Sequence, residues 1–302
     1  MEYEISFQGD STPYFFIMSA SSLTLLAPAK INLSLQLLNK RADGYHEIET
    51  LMAPITLADE LEITCTHTAA PIPITLTCND PSLPLGEKNL CVQAAHAFQK
   101  ATGIQEPVSI TLLKKIPYGA GLGGGSSDAA AVLQGMNALF KKPLVEEELH
   151  LLSVSLGSDV PFFLQRKPAW CRGRGEILSE AAPLPAWNLL LIKPPFSVDT
   201  TWAYQHWDKK KWTPKEPMTH DEITLFNHLE LPVFEKYLLL PVLKEWLLKL
   251  PEVITVWMSG SGSTMVALLN QELSWEQNQR LQTTIRTTFG EYFWIKSVTF
   301  LT

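Results

Sequence analysis

The chain is short of positive charge. Its 302 residues include 24 Lys and Arg against 31 Asp and Glu, a net charge of −7. Binding along a nucleic acid needs clustered cations that displace counterions, so no nucleic-acid partner is expected. The one basic run, Lys209-Lys210-Lys211, has three tryptophans near it and reads as a solvated loop. Cysteine is scarce as well. Cys65, Cys78, Cys91 and Cys171 form no C-x-x-C pair, and none stands at zinc-ligand spacing from a histidine. That excludes a disulfide framework and points to a reducing, cytoplasmic setting. Cys65 and Cys78 fall in strand-like runs and are expected to be small buried hydrophobes. No stretch of about 20 residues is free of charged or strongly polar side chains, so no membrane-spanning helix is expected. Residues 1–22 carry Glu2, Glu4 and Asp10 but no Lys or Arg, which fits neither a secretory signal nor an Arg-rich transit peptide. They read as an extension with little function, and Met18 is an alternative start.

Apolar material is plentiful: 46% of residues are hydrophobic and 10% aromatic, which rules out disorder. The amount suits two cores. Residues 168–186 are irregular in composition and mark the expected boundary between a domain over 23–172 and another over 173–302.

From Ile31 onward, residues 23–38 alternate, with Ile31, Leu33, Leu35 and Leu37 on one side and Asn32, Ser34 and Gln36 on the other. Period two means a half-buried strand, with Lys30 on the polar face beside Asn32. Further strands are expected at 61–66, 72–78, 108–113 and 188–193, and a strand–glycine–strand unit at 253–269. Helices are expected at 89–102, 126–140, 144–156 and near 238–250, followed by a final helix and strand. Ser126, Ser127 and Asp128 all suit the start of the second helix. Strands and helices mix without strict alternation, so the fold class is α+β.

The segment Pro117–Ser127 lies between a strand and that helix and packs five glycines into the seven residues Gly119–Gly125. Such a loop lets backbone approach a ligand closely, and the helix behind it offers unpaired N–H groups, an arrangement suited to phosphates. The hydroxyls of Ser126 and Ser127 could add a contact to a phosphate oxygen or a magnesium ion. No G-x-x-x-x-G-K-[ST] occurs, which excludes a Walker A loop, and neither H-R-D nor D-F-G is present, which excludes a protein kinase. Gly119, Gly121 and Gly124 satisfy G-x-G-x-x-G, but no βαβ unit surrounds them, against a dinucleotide-binding fold. Lys30 needs a partner if it is buried, and Asp159 in the Gly-Ser-Asp-Val-Pro-Phe turn is one candidate. A Lys/Asp pair beside bound phosphate could orient a hydroxyl and offset charge during phosphoryl transfer. Taken alone, the two also read as a surface lysine and a helix-capping aspartate.

Pro28-Ala-Lys-Ile-Asn32, the Pro117–Ser127 loop and Ser259-Gly-Ser-Gly-Ser-Thr264 together resemble the GHMP kinases, across nearly the whole chain from residue 23. Arg41-Ala-Asp-Gly-Tyr-His46 resembles the branch that phosphorylates a cytidine-diphosphate-linked methylerythritol for isoprenoid precursor synthesis. The resemblance implies two α+β domains with an active site between them, and ATP with Mg2+ as phosphoryl donor, the metal arriving with the nucleotide rather than in a protein cluster. It implies Lys30 and Asp159 as the catalytic pair. For ATP it implies Asn89, Lys114, Pro117, Gly119, Gly121, Leu122, Gly123, Gly124, Gly125, Ser126 and Ser127. For the second substrate it implies Asn32, Tyr45, His46, Thr200, Tyr204, Gly260 and Gly262. The family also uses an amide where this chain has Asp128, and residues 200–217 match no pattern. The alternatives are a kinase of another small alcohol (mevalonate or homoserine) and a catalytically silent nucleotide-binding paralogue. A monomer or homodimer is expected.

Overall fold

The alternating segment that opens the domain becomes a strand running through the whole molecule. The structure is a computed structural model that describes residues 21–65, 74–214 and 216–301, together with the backbone of two short strands before them. In chain order the elements are β1 (Tyr3–Glu4), β2 (Ile17–Ser19), β3 (Ser22–Lys40), β4 (His46–Cys65), β5 (Ile74–Cys78), α1 (Leu90–Thr102), β6 (Val108–Leu113), α2 (Gly124–Leu139), α3 (Glu146–Leu156) and α4 (Val160–Gln165). The second half adds β7 (Ala169–Gly173), β8 (Ile177–Glu180), β9 (Asn188–Lys193), α5 (Thr200–Trp207), β10 (Met218–His220), β11 (Ile223–Asn227), α6 (Glu230–Lys236), α7 (Leu239–Leu247), β12 (Val253–Met258), β13 (Met265–Leu269), α8 (Trp275–Phe289) and β14 (Trp294–Val298). The expected strand at 61–66 is the end of the much longer β4; residue 66, and 72–73 of the next expected strand, lie outside the described residues. Most of the N-terminal extension does too.

Among the described residues, ten strands form the larger sheet along the path β1-β2-β3-β4-β6-β5, with β7 and β8 joined through β4 and β11 and β10 through β3. The smaller sheet, β12-β13-β9-β14, is antiparallel throughout. The odd-numbered residues of β3 feed three cores in turn. Leu23, Leu25 and Ala27 pack with residues of α1 and α2. Ala29, Ile31 and Leu33 meet Trp187, Leu191 and Trp257 between the two sheets. Leu35 and Leu37 join residues of α6, α7 and α8. Every residue from Ala27 to Leu35 is buried, so the polar face of the strand is enclosed as well. Fully burying a side chain such as Ile31 contributes about 2 kcal/mol. The register with β4 shifts between Pro28 and Lys30 and again between Asn32 and Ser34. Proline cannot donate to the ladder, and such irregularities re-aim side chains.

Two local expectations need correction. Helix α2 starts at Gly124, not at the serines; its N-cap is Gly123 at φ 70° with no side-chain cap, so Ser126, Ser127 and Asp128 lie inside the first turns. The crowding of Gly123 explains this, since a Cβ there would meet Phe163 Cζ at 2.8 Å and Lys30 Cγ at 3.0 Å. All four cysteines are free thiols, but Cys78 is only half-buried, because its strand lies at the end of the sheet path. Among the described residues no helix is long and apolar enough to cross a membrane.

Candidate active site

The glycine loop is held by its carbonyls. Lys30 N–H donates to Leu122 O at 2.9 Å and Ser259 Oγ to Gly121 O at 3.0 Å. Gly121 at φ 75° is pressed so closely that a Cβ would lie 2.3 Å from the Ser259 carbonyl oxygen. Only glycine fits there, and the Ser259–Thr264 loop is thereby clamped onto the Pro117–Ser127 loop. The first N–H groups of α2 have no intrahelical partner and carry the positive end of the helix dipole. Ser127 is buried, and its hydroxyl has no hydrogen-bond partner.

Lys30 is buried beside this loop. Its Nζ donates to Asn32 Oδ1 at 2.7 Å and lies 3.5 Å from Asp159 Oδ2; the side chains of Lys30 and Asp159 are 5% and 31% exposed. Asp159 stands at the N-terminus of α4 yet makes no side-chain cap bond, so its carboxylate is free to face Lys30. The plainer reading of a surface lysine and a capping aspartate therefore fails. Asn32 is fixed on three sides: Nδ2 donates to Thr50 Oγ1 at 2.8 Å, its N–H to Ser259 Oγ at 3.3 Å, and its carbonyl accepts from Trp257 Nε1 at 2.8 Å.

The R-x-D-G-Y-H segment is the turn between β3 and β4. Arg41 N–H donates to Tyr45 O at 2.8 Å, Arg41 also binds Asp43 and Glu47, and Asp43 Oδ1 accepts from Tyr45 N–H at 3.1 Å. Gly44 at φ 87° makes the corner. Tyr45 is therefore presented to solvent, with the Arg174 guanidinium 5.0 Å over its ring. His46 is buried, 5.5 Å from the ring of Tyr204, and its Nε2 lies 2.6 Å from Asp208 Oδ1. Burial, then the charge of Asp159, raise the Tyr204 phenol above its ordinary value. Thr200 Oγ1 shares a 2.8 Å hydrogen bond with Ser261 Oγ.

Lys114 lies beneath the loop, its Nζ bound to Asp59 and 2.8 Å from Asp128 Oδ2, and a Cβ on Gly124 would come within 3.1 Å of it. Burial alone would lower the Lys114 amine, but the charges of Asp128 and Asp59 hold it above its ordinary value. Asp59 also accepts from the N–H groups of Lys115 and Ile116, so of the two carboxylates it is the better stabilised. Burial pushes Asp128 up to about 8. Asn89 caps α1, accepting from Cys91 N–H at 2.9 Å. One cavity of about 980 Å³ is lined by every residue expected at the site except Ser127, which is buried.

The profile of the GHMP kinases N terminal domain matches residues 89–167. A 4-diphosphocytidyl-2-C-methyl-D-erythritol kinase of Methylacidiphilum infernorum is 45% identical over 261 residues, 84% of this chain and 89% of that protein. The chain belongs to the 4-diphosphocytidyl-2-C-methyl-D-erythritol kinase family. A protein of that name from Geobacter sp. strain M21 is 40% identical over 260 residues, 83% of this chain and 90% of its own. A crystal structure of 4-(cytidine 5'-diphospho)-2C-methyl-D-erythritol kinase superposes with a TM-score of 0.73 at 34% identity, covering 91% of this chain and 99% of that one. Homoserine kinase from Cytophaga hutchinsonii shares the fold, with a TM-score of 0.62 at 18% identity and 98% of each chain covered.

In this member of the kinase family, two charged residues lining the cavity and the fully buried Asp59 bound to Lys114 carry no motif signal. Asp208 sits in the unmatched Trp- and Lys-rich stretch, Arg174 in the irregular segment, and Asp59 in a strand with no motif. Asp128 was visible only as a helix-start residue. A buried lysine beside two acids has no short-range signature, because sheet pairing and helix docking, not spacing, bring the three together.

Proposed function

We propose that this protein transfers the γ-phosphoryl group of ATP to a hydroxyl of 4-diphosphocytidyl-2-C-methyl-D-erythritol, giving its 2-phosphate, in the non-mevalonate route to isoprenoid precursors. The observation that carries this reading is a single cavity joining a glycine loop, a buried Lys/Asp pair and a Tyr/His cluster. In this reading the ATP phosphates rest on Pro117, Gly119 and Gly121–Ser127, with Asn89 and Lys114 toward the nucleoside. Asp159 accepts or orients the proton of the attacking hydroxyl, whose oxygen bonds to phosphorus as the bond to ADP breaks. Lys30, steadied by Asn32, offsets the negative charge of the transferring group. Tyr45 offers a stacking face, His46 a hydrogen bond, and Thr200 and Tyr204 further contacts to the cytidine end. Gly260 and Gly262 close the site.

The residues fit a magnesium-bound nucleotide: the Ser126 hydroxyl lies in the first turn of α2, and the neighbouring Ser127 hydroxyl is buried without a partner. Ser126, which lines the cavity, would hold the ion, and the ion would neutralise phosphate charge when bound. Four free thiols support a cytoplasmic setting. A smaller sheet built wholly beyond residue 173 supports a division into 23–172 and 173–302.

ADP release from purified protein, ATP and magnesium tests the proposal, with the cytidylyl substrate, mevalonate and homoserine offered in parallel and Asp159→Asn as control. Turnover of the cytidylyl compound alone, lost in the variant, is expected. Turnover of another alcohol would discard the roles of Tyr45 and His46. Nucleotide binding without any turnover would indicate a silent paralogue.

A further inference from the structure

Asp208 ties three elements together at the Tyr/His end of the cavity. Its Oδ1 lies 2.6 Å from His46 Nε2 and its Oδ2 2.6 Å from Lys40 Nζ. Lys40 and His46 pair across β3 and β4, so one carboxylate pins the base of that hairpin to the end of α5. Tyr204 stands four residues earlier, on the same face of the helix end, with its ring 5.5 Å from the ring of His46. Burial would raise the Asp208 carboxyl, but hydrogen bonds from Lys40 and His46 outweigh it and hold the group below its ordinary value. An ionised carboxylate only accepts, so the hydrogen in this contact belongs to His46 Nε2. In the neutral imidazole the other nitrogen is then an acceptor. His46 Nδ1 has no protein partner among the described residues, and His46 lines the cavity.

We infer that Asp208 is a positioning residue for base selection: it locks His46 in the Nε2–H tautomer, so that Nδ1 accepts a hydrogen bond from the amino group of the substrate's cytosine. The inference rests on the cytidine-linked substrate proposed above. Uracil carries a carbonyl where cytosine carries that amino group, and a carbonyl facing Nδ1 would set two acceptors against each other. Asp208→Ala removes the lock. Asp208→Asn weakens it, because an amide can turn its N–H toward the ring and favour the opposite tautomer.

Two measurements test this. In protein labelled with 15N-histidine, the His46 ring is expected to carry its proton on Nε2, and in Asp208→Ala to divide between tautomers. A native ring with a bare Nε2 overturns the inference whether or not any substrate is turned over. In kinetics, Asp208→Asn is expected to raise KM for the cytidylyl substrate about tenfold, the effect of one lost hydrogen bond. KM for ATP and kcat should move less than about twofold, preference over the uridylyl analogue should shrink, and Asp208→Glu should recover most of it. Unchanged base preference, or kcat and both KM values failing together, overturns the inference. Native protein that ignores the cytidylyl substrate would overturn the proposed function instead, leaving the tautomer to be judged by the labelled ring.

Discussion

Replacing Asp128 by asparagine should make the protein more stable at high pH than the native chain while changing little in acid. Lys114, Asp59 and Asp128 are all buried in direct contact, so one positive charge faces two acids. With all three ionised the cluster would hold a net negative charge away from water, which is costly. A proton relieves it. Asp59 receives two backbone N–H bonds as well as Lys114, so the proton resides on Asp128, whose carboxyl rises from an ordinary 3.8 to about 8. A carboxyl raised on folding binds its proton more tightly in the native than in the unfolded chain. Native stability therefore falls as pH climbs from about 4 towards 8, by at most about 1.4 kcal/mol per pH unit. Between pH 6 and pH 8 this one group should cost about 2 kcal/mol. Asparagine keeps the shape, can still accept from Lys114, and does not titrate. The variant's advantage over the native chain should thus grow by about that amount, roughly 4 °C in melting temperature for a chain of this size. Thermal melts of both proteins at half-unit steps from pH 5 to pH 9 measure the difference, which cancels the titration of every other group. A difference that stays flat from pH 6 to pH 8 would show that Asp128 is ionised throughout and refute the shared-proton argument.

Three further changes probe other contacts. Gly121→Ala would put a Cβ 2.3 Å from a backbone oxygen at φ 75°, so both the melting temperature and the affinity for ATP should drop; a variant that melts and binds ATP like the native chain would contradict the clamp between the two loops. Asp159→Asn should lower kcat about 10²- to 10⁴-fold, as expected for a lost general base, with ATP affinity measured by calorimetry unchanged. A loss confined to KM would assign Asp159 to binding instead. Trp257→Phe removes the donor that satisfies the buried Asn32 carbonyl at 2.8 Å and should cost about 1–3 kcal/mol in urea unfolding, whereas a loss under about 0.5 kcal/mol would mean that water replaces the indole.

The features legible in the sequence are those whose cause is local. Period-two alternation marked β3, because side chains of a strand point alternately to opposite faces, and the glycine density marked the loop, because left-handed backbone and close approach exclude a Cβ. Even there, the helix starts earlier than its capping residues suggest. Ser126, Ser127 and Asp128 have capping chemistry, yet Gly123 ends the loop because Lys30 and Phe163 crowd it, and both contacts come from distant parts of the chain. The pairing of Lys30 with Asp159 could be suspected because a lysine in an apolar strand requires a partner, though nothing in the composition chose among the acids. Asp208, Asp59 and Asp128 show the limit of that reasoning. Each is an ordinary acid in its own segment, and its role depends on the base that sheet register or helix docking brings to it: His46 and Lys40 for the first, Lys114 for the other two. Motif spacing thus finds groups that must touch one ligand, because the ligand fixes their geometry. It misses groups that act on those groups, because any acid able to reach His46 or Lys114 from another element would serve, and the chain is free to supply it from a stretch that matches nothing else.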